Sequence, residues 1–396
     1  MYQHIMNEWL PLGVRWLHVV AGIAWIGTSF YFNFLNHALR PPEGGNGRVG
    51  GELWAIHGGG FYHVEKFRVA PEHLPETLHW FKWEAYTTWL SGASLLILVY
   101  YMGPSSILVD PSIADISRTL ATVIGVATLL GGWFLYDLLC RTGLVHRPVI
   151  FGVLLYGLVS AVAFGLSQIM AGRAAYIHVG ALLGTWMAAN VFRVIIPSQK
   201  NMVTSMVGGE EPDSDLGEQA SMRSLHNNYF TLPVVFMMIS SHFPSTYGST
   251  WNWAVLAVLS LSGVLIRHWF NLRGRDRQNA FLLPGAALLL IGLALTTAPR
   301  NAVPATGVGE SVDNDRAFSI VQNHCAACHS AVPTQEGFSQ APRGLTFDSV
   351  DELLAAQELV EQMAIRTQVM PPGNITGMTE EERAELGQWL QSHRSG

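Results

Sequence analysis

The sequence is poor in charged residues and in cysteine. Only 13% of its 396 residues are charged, where soluble domains have roughly 25%. This shortage argues against a large soluble enzyme and, together with 13 Trp and 39 Gly, favours an integral membrane protein. The net charge of −6 is modest and gives no reason to expect nucleic-acid binding. Three cysteines are too few for a disulfide framework.

Long apolar runs take the place of the missing charge. Eight segments are apolar over lengths near the ~20 residues that a helix needs to cross a bilayer. They lie at 12–35, 84–103, 119–139, 149–170, 175–196, 229–243, 251–269 and 279–297, the sixth being the shortest. The sequence therefore predicts an all-α fold, in which residues 1–297 form a transmembrane bundle of eight helices.

Lys and Arg are concentrated in alternate connections between these segments, which is the pattern of cytoplasmic loops. These connections carry Lys66, Arg68, Lys82, Arg141, Arg147, Arg273, Arg275 and Arg277. The other connections, "GPSSILVDPSIADISR", "AGR" and "FPSTYGST", contain few cations. We therefore expect a multi-pass protein of the bacterial inner membrane with both ends of the bundle on the periplasmic side.

The composition changes after about residue 298. Residues 298–312 are predicted to form a linker containing Pro, Gly and Ala, and residues 313–396 a small helical domain. Its "HCAACHS" contains Cys325, Cys328 and His329, the pattern in which two thiols bond haem vinyl groups and the imidazole ligates iron. Met370 in "TQVMPPGN" is the candidate for the second axial ligand.

Other readings of the cysteine motif are a thioredoxin-like dithiol or a zinc site. Neither needs the histidine that follows, and zinc would need a second cysteine pair that the chain lacks. We therefore expect a periplasmic domain of the class I cytochrome c type with one covalent haem c.

Histidines within the apolar segments are further candidates, because ionisable groups are expensive in lipid. His18 and His178 occupy matching places in a weak internal repeat, "WLHVVAGIAWIG" and "YIHVGALLGTWMA", and facing each other they could hold a haem b. His79, His226 and His268 lie near the cytoplasmic ends of segments and could form a second site. For each histidine the alternative is a structural hydrogen bond to a neighbouring helix.

The first cytoplasmic connection and the start of the sixth segment are unusually rich in His, Asn and aromatic residues. His57, His63, His79 and His226 are candidates for a catalytic base there, because imidazole titrates near neutral pH. Together with the neighbouring aromatic residues they could bind a flat polar heterocycle. Gly58–Gly60 would permit a hairpin turn or a close backbone approach. The alternative is an interfacial loop with an aromatic belt.

Four motifs in combination resemble the bacterial membrane-bound urate oxidase (urate hydroxylase) family of PuuD type. They are "RWLHVVAGIAWIGTSFYFNFLNH", "HGGGFYHVEKF", "HNNYFTLPVVFMMIS" and the C-terminal "CAACH" with "MPPGN". The resemblance covers the whole chain. It implies an oxidoreductase of purine catabolism that converts urate to 5-hydroxyisourate. Electrons would pass through the c-type haem to a soluble cytochrome or terminal oxidase, without producing hydrogen peroxide.

Two other functions fit the residues alone. One is a membrane cytochrome of b/c type that transfers electrons from quinol or another metabolite. The other is a passive anchor for an electron-carrier domain. The anchor explains less, because one helix would suffice for tethering and would not need polar loops rich in histidine.

Overall fold

Long helices make up most of the structure, a computed structural model that describes residues 5–43, 47–68, 71–275, 277–298, 312–335, 338 and 340–393. Each predicted apolar segment overlaps one helix. The helices are α1 (Leu10–Ala38), α2 (Trp83–Leu95), α3 (Arg118–Cys140), α4 (Pro148–Ser167), α5 (Gly172–Val207), α6 (Ser214–Ile239), α7 (Asn252–Gly274) and α8 (Leu282–Thr296). Shorter helical turns lie at Ile5–Trp9, Leu96–Tyr101, Ser105–Leu108, Gly143–His146, Ser240–His242 and Pro244–Tyr247.

Five of these helices, namely α1, α3, α4, α5 and α7, are long and apolar enough to cross a membrane, and α8 is a shorter apolar helix. Several point large apolar side chains outward: Trp16 is 74% exposed, Val149 78% and Leu295 74%. Such surfaces are favourable against lipid and promote aggregation in water. The structure is thus compatible with a membrane location, while eight crossings remain a prediction.

Helix α5 lies at the centre of the bundle, and its residues include the fully buried Tyr176, Leu182 and Trp186. A wide π-helical turn at Asn190–Ile195 interrupts it and lets it continue to Val207. A second wide turn, Leu96–Tyr101, extends α2. Wide turns of this kind occur frequently at functional sites, because they change the direction of side chains within a continuous helix.

A β-hairpin between α1 and α2 departs from the predicted all-α fold. Strands β1 (Val49–His57) and β2 (Gly60–Phe67) pair antiparallel, with His57 opposite Gly60. Gly58 and Gly59 have φ of 58° and 80°, the left-handed conformation that two-residue hairpin turns require. The triple glycine therefore forms the hairpin turn that was one of its two expected roles. The flanking β-branched and aromatic residues explain the strands.

The C-terminal residues form a second hydrophobic core of their own. Helices α9 (Asn314–His324), α10 (Val350–Ala355) and α11 (Glu380–Ser392) surround it, with short turns at Pro342–Gly344, Gln357–Val360, Glu361–Arg366 and Pro372–Asn374. Helix α9 begins at Asp313, whose carboxylate accepts a hydrogen bond from the backbone N–H of Arg316. Of the predicted linker, residues 299–311 lie outside the described residues.

The C-terminal unit contacts the bundle through the segment that contains Met370. Val369 packs against the bundle core, and a Cβ placed on Gly248 would lie 2.7 Å from its Cγ1. A Cβ placed on Gly373 would lie 2.9 Å from the carbonyl oxygen of Val109. Both contacts belong to connections at the end of the bundle opposite the hairpin. Side chains at either glycine would force the two units apart.

Candidate functional site

The cysteine motif follows directly on helix α9. The backbone N–H of Cys325 donates to Val321 at 2.8 Å, and that of His329 donates to Cys325 at 2.8 Å. The motif therefore forms one more helical turn, which places Cys325, Cys328 and His329 on neighbouring faces. Burial raises the pKa of Cys325 to about 12 and also raises that of Cys328, so both are neutral thiols at pH 7.

His329 is held in place by the backbone and by a neighbouring ring. Its Nδ1 lies 2.9 Å from the carbonyl oxygen of Leu345, and its ring packs against Phe347. Burial lowers the pKa of His329, which keeps the imidazole neutral. A neutral ring that uses Nδ1 for a backbone carbonyl has Nε2 available as a metal ligand, the usual arrangement of a metal-binding histidine.

Met370 is held by its backbone. Its N–H donates to Met363 at 3.0 Å, and its carbonyl accepts from Nη1 of Arg383 at 2.8 Å. Arg383 is 4% exposed and also donates to the carbonyl of Ala364. Met370 and Cys325 both pack against the C-terminal core. The four predicted haem residues thus belong to one small unit and fit a covalent haem with histidine and methionine ligands.

A buried polar cluster that we call the Asn190 network joins α3, α5 and α6. It contains Tyr136, Asp137, Asn190, Arg223, His226 and Asn227. The amide nitrogen of Asn190 donates to Tyr136 at 3.0 Å and to Asn227 at 2.8 Å, and its oxygen accepts from Arg223 at 3.1 Å. Arg223 also forms an ion pair with Asp137 at 2.6 Å. Every charge in the network is therefore compensated.

A second cluster, the Asn228 network, lies on the other side of α6 against α1 and α7. The oxygen of Asn228 accepts from Nε of Arg267 at 2.8 Å and from Asn271 at 3.0 Å. The oxygen of Asn271 in turn accepts from Asn33 at 2.9 Å. The guanidinium of Arg267 lies 4.2 Å from the ring centroid of Phe30.

The histidines predicted as haem b ligands lie near the end of the bundle that contacts the C-terminal unit. Nδ1 of His18 lies 2.9 Å from the carbonyl of Thr88, and Nδ1 of His178 lies 2.8 Å from that of Ala174. Nε2 of His178 lies 3.0 Å from the Tyr101 hydroxyl. Among the described residues, the two histidines therefore contact different groups, and these contacts are of the structural kind that was the alternative to haem ligation. A haem b between them remains a prediction.

The four candidates for a catalytic base have separate surroundings. His57 ends β1 at the hairpin turn, and His79 packs edge-on against Phe81. Nδ1 of His226 lies 2.8 Å from the hydroxyl of Tyr136, in the Asn190 network. The described contacts do not join these histidines to one another.

His63 lies on β2 within a small cluster of possible metal ligands. Its Nε2 lies 3.0 Å from Glu52, and its Nδ1 lies 3.9 Å from Glu65. One ligand atom from each of the three residues falls within 4.8 Å of the others; Glu52 is half-buried, while His63 and Glu65 are exposed. Exposed acidic groups of this kind are common without a metal, so the cluster alone does not define a site.

An open cavity of about 540 Å³ is formed largely by the first connection but is not lined by any of the four histidines. Its lining residues are Leu74, Pro75, Glu76, Thr77, Leu78, Trp80, Val203 and Val207. The cavity therefore lies in the region where a substrate site was expected, but it includes none of the candidate bases.

A comparison with protein families identifies the bundle. The sequence model of the family described as "Urate oxidase N-terminal" matches residues 4–298, about three quarters of the chain. The chain belongs to the urate oxidase N-terminal family. Comparisons with curated proteins and with solved structures found no match. Membership indicates an oxidoreductase with a role related to urate oxidation and urate as its substrate class.

The family match ends at residue 298, so it covers both polar networks and leaves out Cys325, Cys328, His329 and Met370. Arg223, Arg267 and Asn190 were not predicted as site residues. A signal exists for Arg267 and Asn190, which lie inside predicted apolar segments, because charged or amide side chains there need partners. Arg223 lies before the sixth predicted segment, so the sequence gives no such signal for it.

Proposed function

We propose that this member of the urate oxidase N-terminal family is a membrane-bound urate oxidase that passes electrons to a covalent haem c in its own C-terminal domain. Urate and water yield 5-hydroxyisourate, two electrons and two protons: an oxygen from water adds at C5. The electrons leave one at a time and continue to a soluble cytochrome or terminal oxidase. Oxygen is not the direct acceptor, so no hydrogen peroxide forms.

The family match over residues 4–298 is the observation that carries the proposal. The Cys325–Cys328–His329 turn supports the electron route, because it fits covalent attachment and leaves Nε2 of His329 available. A haem held there would supply one-electron redox chemistry, and Met370 as a second ligand beside the histidine would favour a high reduction potential.

The contact between the two units also supports the electron route. The segment beside Met370 contacts the bundle at Gly248 and Val109, within two of the three connections that were expected to be periplasmic. His178 lies six residues into α5 from this end, and Asn190 lies about 18 Å further along the helix at 1.5 Å per residue. Electrons released near the polar networks would therefore cross the bundle towards the Met370 segment.

Anaerobic titration with urate tests the proposal. Urate added to the purified full-length protein in detergent should reduce the c-type haem, with two haems reduced per urate consumed. The Cys325→Ala/Cys328→Ala variant should show no c-type haem signal. Reduction of the haem by a quinol but not by urate would overturn the proposal and favour a quinol-linked b/c-type cytochrome.

The haem content of the protein tests whether His18 and His178 hold a haem b. A pyridine haemochrome spectrum of the wild type should contain the c-type signal. A b-type signal that is lost in His18→Ala and His178→Ala would assign those residues. A spectrum with c-type haem alone would end the haem b hypothesis without touching the proposed function.

A further inference from the structure

The two buried arginines of the bundle differ in how their charge is compensated. Arg223, 3% exposed, forms an ion pair with Asp137. Arg267, 6% exposed, has no carboxylate within 4 Å among the residues that the structure describes. Its terminal nitrogens make no hydrogen bond to any described residue, since its one side-chain bond comes from Nε. A guanidinium inside an apolar bundle is costly without an anion.

A second group beside Arg267 also lacks a partner. Asn228 is 2% exposed, and its oxygen accepts two hydrogen bonds while its buried amide nitrogen has none. A buried donor without an acceptor is unfavourable, because its hydration is lost and nothing replaces it. The cluster therefore offers unused N–H donors and a positive charge, and it needs an anion with acceptor oxygens or nitrogens.

The surroundings indicate the shape of that anion. The guanidinium of Arg267 lies over the ring of Phe30 on α1. The hydroxyl of Tyr229 lies 2.7 Å from Nδ1 of His268. Tyr229 and His268 follow Asn228 and Arg267 in the chain, and Tyr229 is close enough to Arg267 to interact with it electrostatically. Aromatic rings and a fork of N–H donors are suited to a planar heterocycle with carbonyl groups.

We propose that the Asn228 network binds urate, with Arg267 neutralising the urate anion and the amide of Asn228 donating to a ring carbonyl or nitrogen. The assignment to urate rests on the proposed function. The assignment to a planar anion rests on the two unpartnered groups. In the Asn190 network, on the opposite side of α6, every charge is paired, and we assign to it the role of stabilising the contacts between the helices.

Equilibrium binding of urate tests the site without turnover. The holoprotein is first reduced with dithionite, so that bound urate cannot be oxidised, and urate is measured by equilibrium dialysis. Arg267→Gln keeps a donor for Asn228 and should raise the Kd about tenfold or more, since a hydrogen-bonded charge is lost. Arg273→Gln, an exposed change on the same helix, is the matched control and should leave the Kd unchanged.

Asn228→Asp provides a readout that a purely structural role would not give. The carboxylate would still accept from Arg267 and Asn271, and it would supply the missing negative charge. This variant should therefore be at least as resistant to heat as the wild type and yet bind urate much more weakly. Hypoxanthine, a neutral oxopurine, should bind the wild type more weakly than urate, and Arg267→Gln should remove that preference.

The outcomes separate the two proposals. Urate binding in Arg267→Gln and Asn228→Asp that equals the wild type would overturn this site, even if urate reduces the haem. Urate binding that depends on Arg267, in a protein whose haem urate does not reduce, would support the site and overturn the proposed function.

Discussion

The ion pair between Asp137 and Arg223 should be essential for stability, and Asp137→Asn tests this. The side chain of Arg223 is 4% exposed and that of Asp137 14%, so the pair is largely buried. Removing one partner of a buried pair typically costs about 3–5 kcal/mol. Arg223 would keep its hydrogen bond to Asn190, so we expect the lower end, about 3 kcal/mol. At roughly 2–4 °C per kcal/mol, the unfolding midpoint should fall by roughly 6–12 °C.

Thermal unfolding of the purified protein in detergent, followed by tryptophan fluorescence, measures this loss. Asp137 also pairs with Arg141 at 2.7 Å, but Arg141 is 73% exposed, so Arg141→Gln should cost only about 0–1 kcal/mol. The double variant Asp137→Asn/Arg223→Met should recover most of the loss, because no charge is left unpaired. The reasoning fails if the double variant is as unstable as Asp137→Asn, or if Arg141→Gln accounts for the whole effect.

Three other predictions concern the contact between the units, the C-terminal domain and the hairpin. Gly248→Val should slow the reduction of the haem by urate while leaving its reduction by ascorbate unchanged, and Gly143→Val, whose Cβ would meet open space, should have no effect in stopped-flow measurements. Hydrogen bonds from Thr379 lower the pKa of Glu382 to about 2 from 4.5, so the stability that Glu382 contributes is complete above pH 4.5 and is lost as the pH falls towards 2. When haem absorbance is followed against pH, Glu382→Gln should therefore lose less stability than the wild type as the pH falls through this range. Gly59→Val places a β-branched residue at φ 80° and should destabilise the hairpin by about 1–2 kcal/mol, seen as faster limited proteolysis between β1 and β2.

The helices could be predicted from the sequence because a run of apolar residues is a local pattern. The spacing of Cys325, Cys328 and His329 is also a local pattern, and the haem that it predicts stays a prediction. The hairpin was predicted only as one role of Gly58–Gly60, because the first connection was interpreted as a polar loop and its two strands lack a regular apolar alternation. The count of membrane crossings and the domain limits stay predictions.

The polar networks show what the sequence could not provide. In "HNNYF" a helical turn of about 100° per residue puts Asn227 and Asn228 on different faces of α6. That separation follows from periodicity alone. Which helices lie on each face does not, so the pairing of Asn227 with Asn190 and of Asn228 with Arg267 required the packed structure.

The contact that Val369 and Gly373 make with the bundle has a consequence for the proposed electron transfer. The face of the C-terminal unit that carries the Met370 segment contacts the bundle. Under the proposed function, a downstream electron acceptor would therefore have to approach the C-terminal unit from another side. A carrier with separate entrance and exit faces could receive electrons from the bundle while the acceptor is already bound, and a donor on the same chain would not have to be found by diffusion.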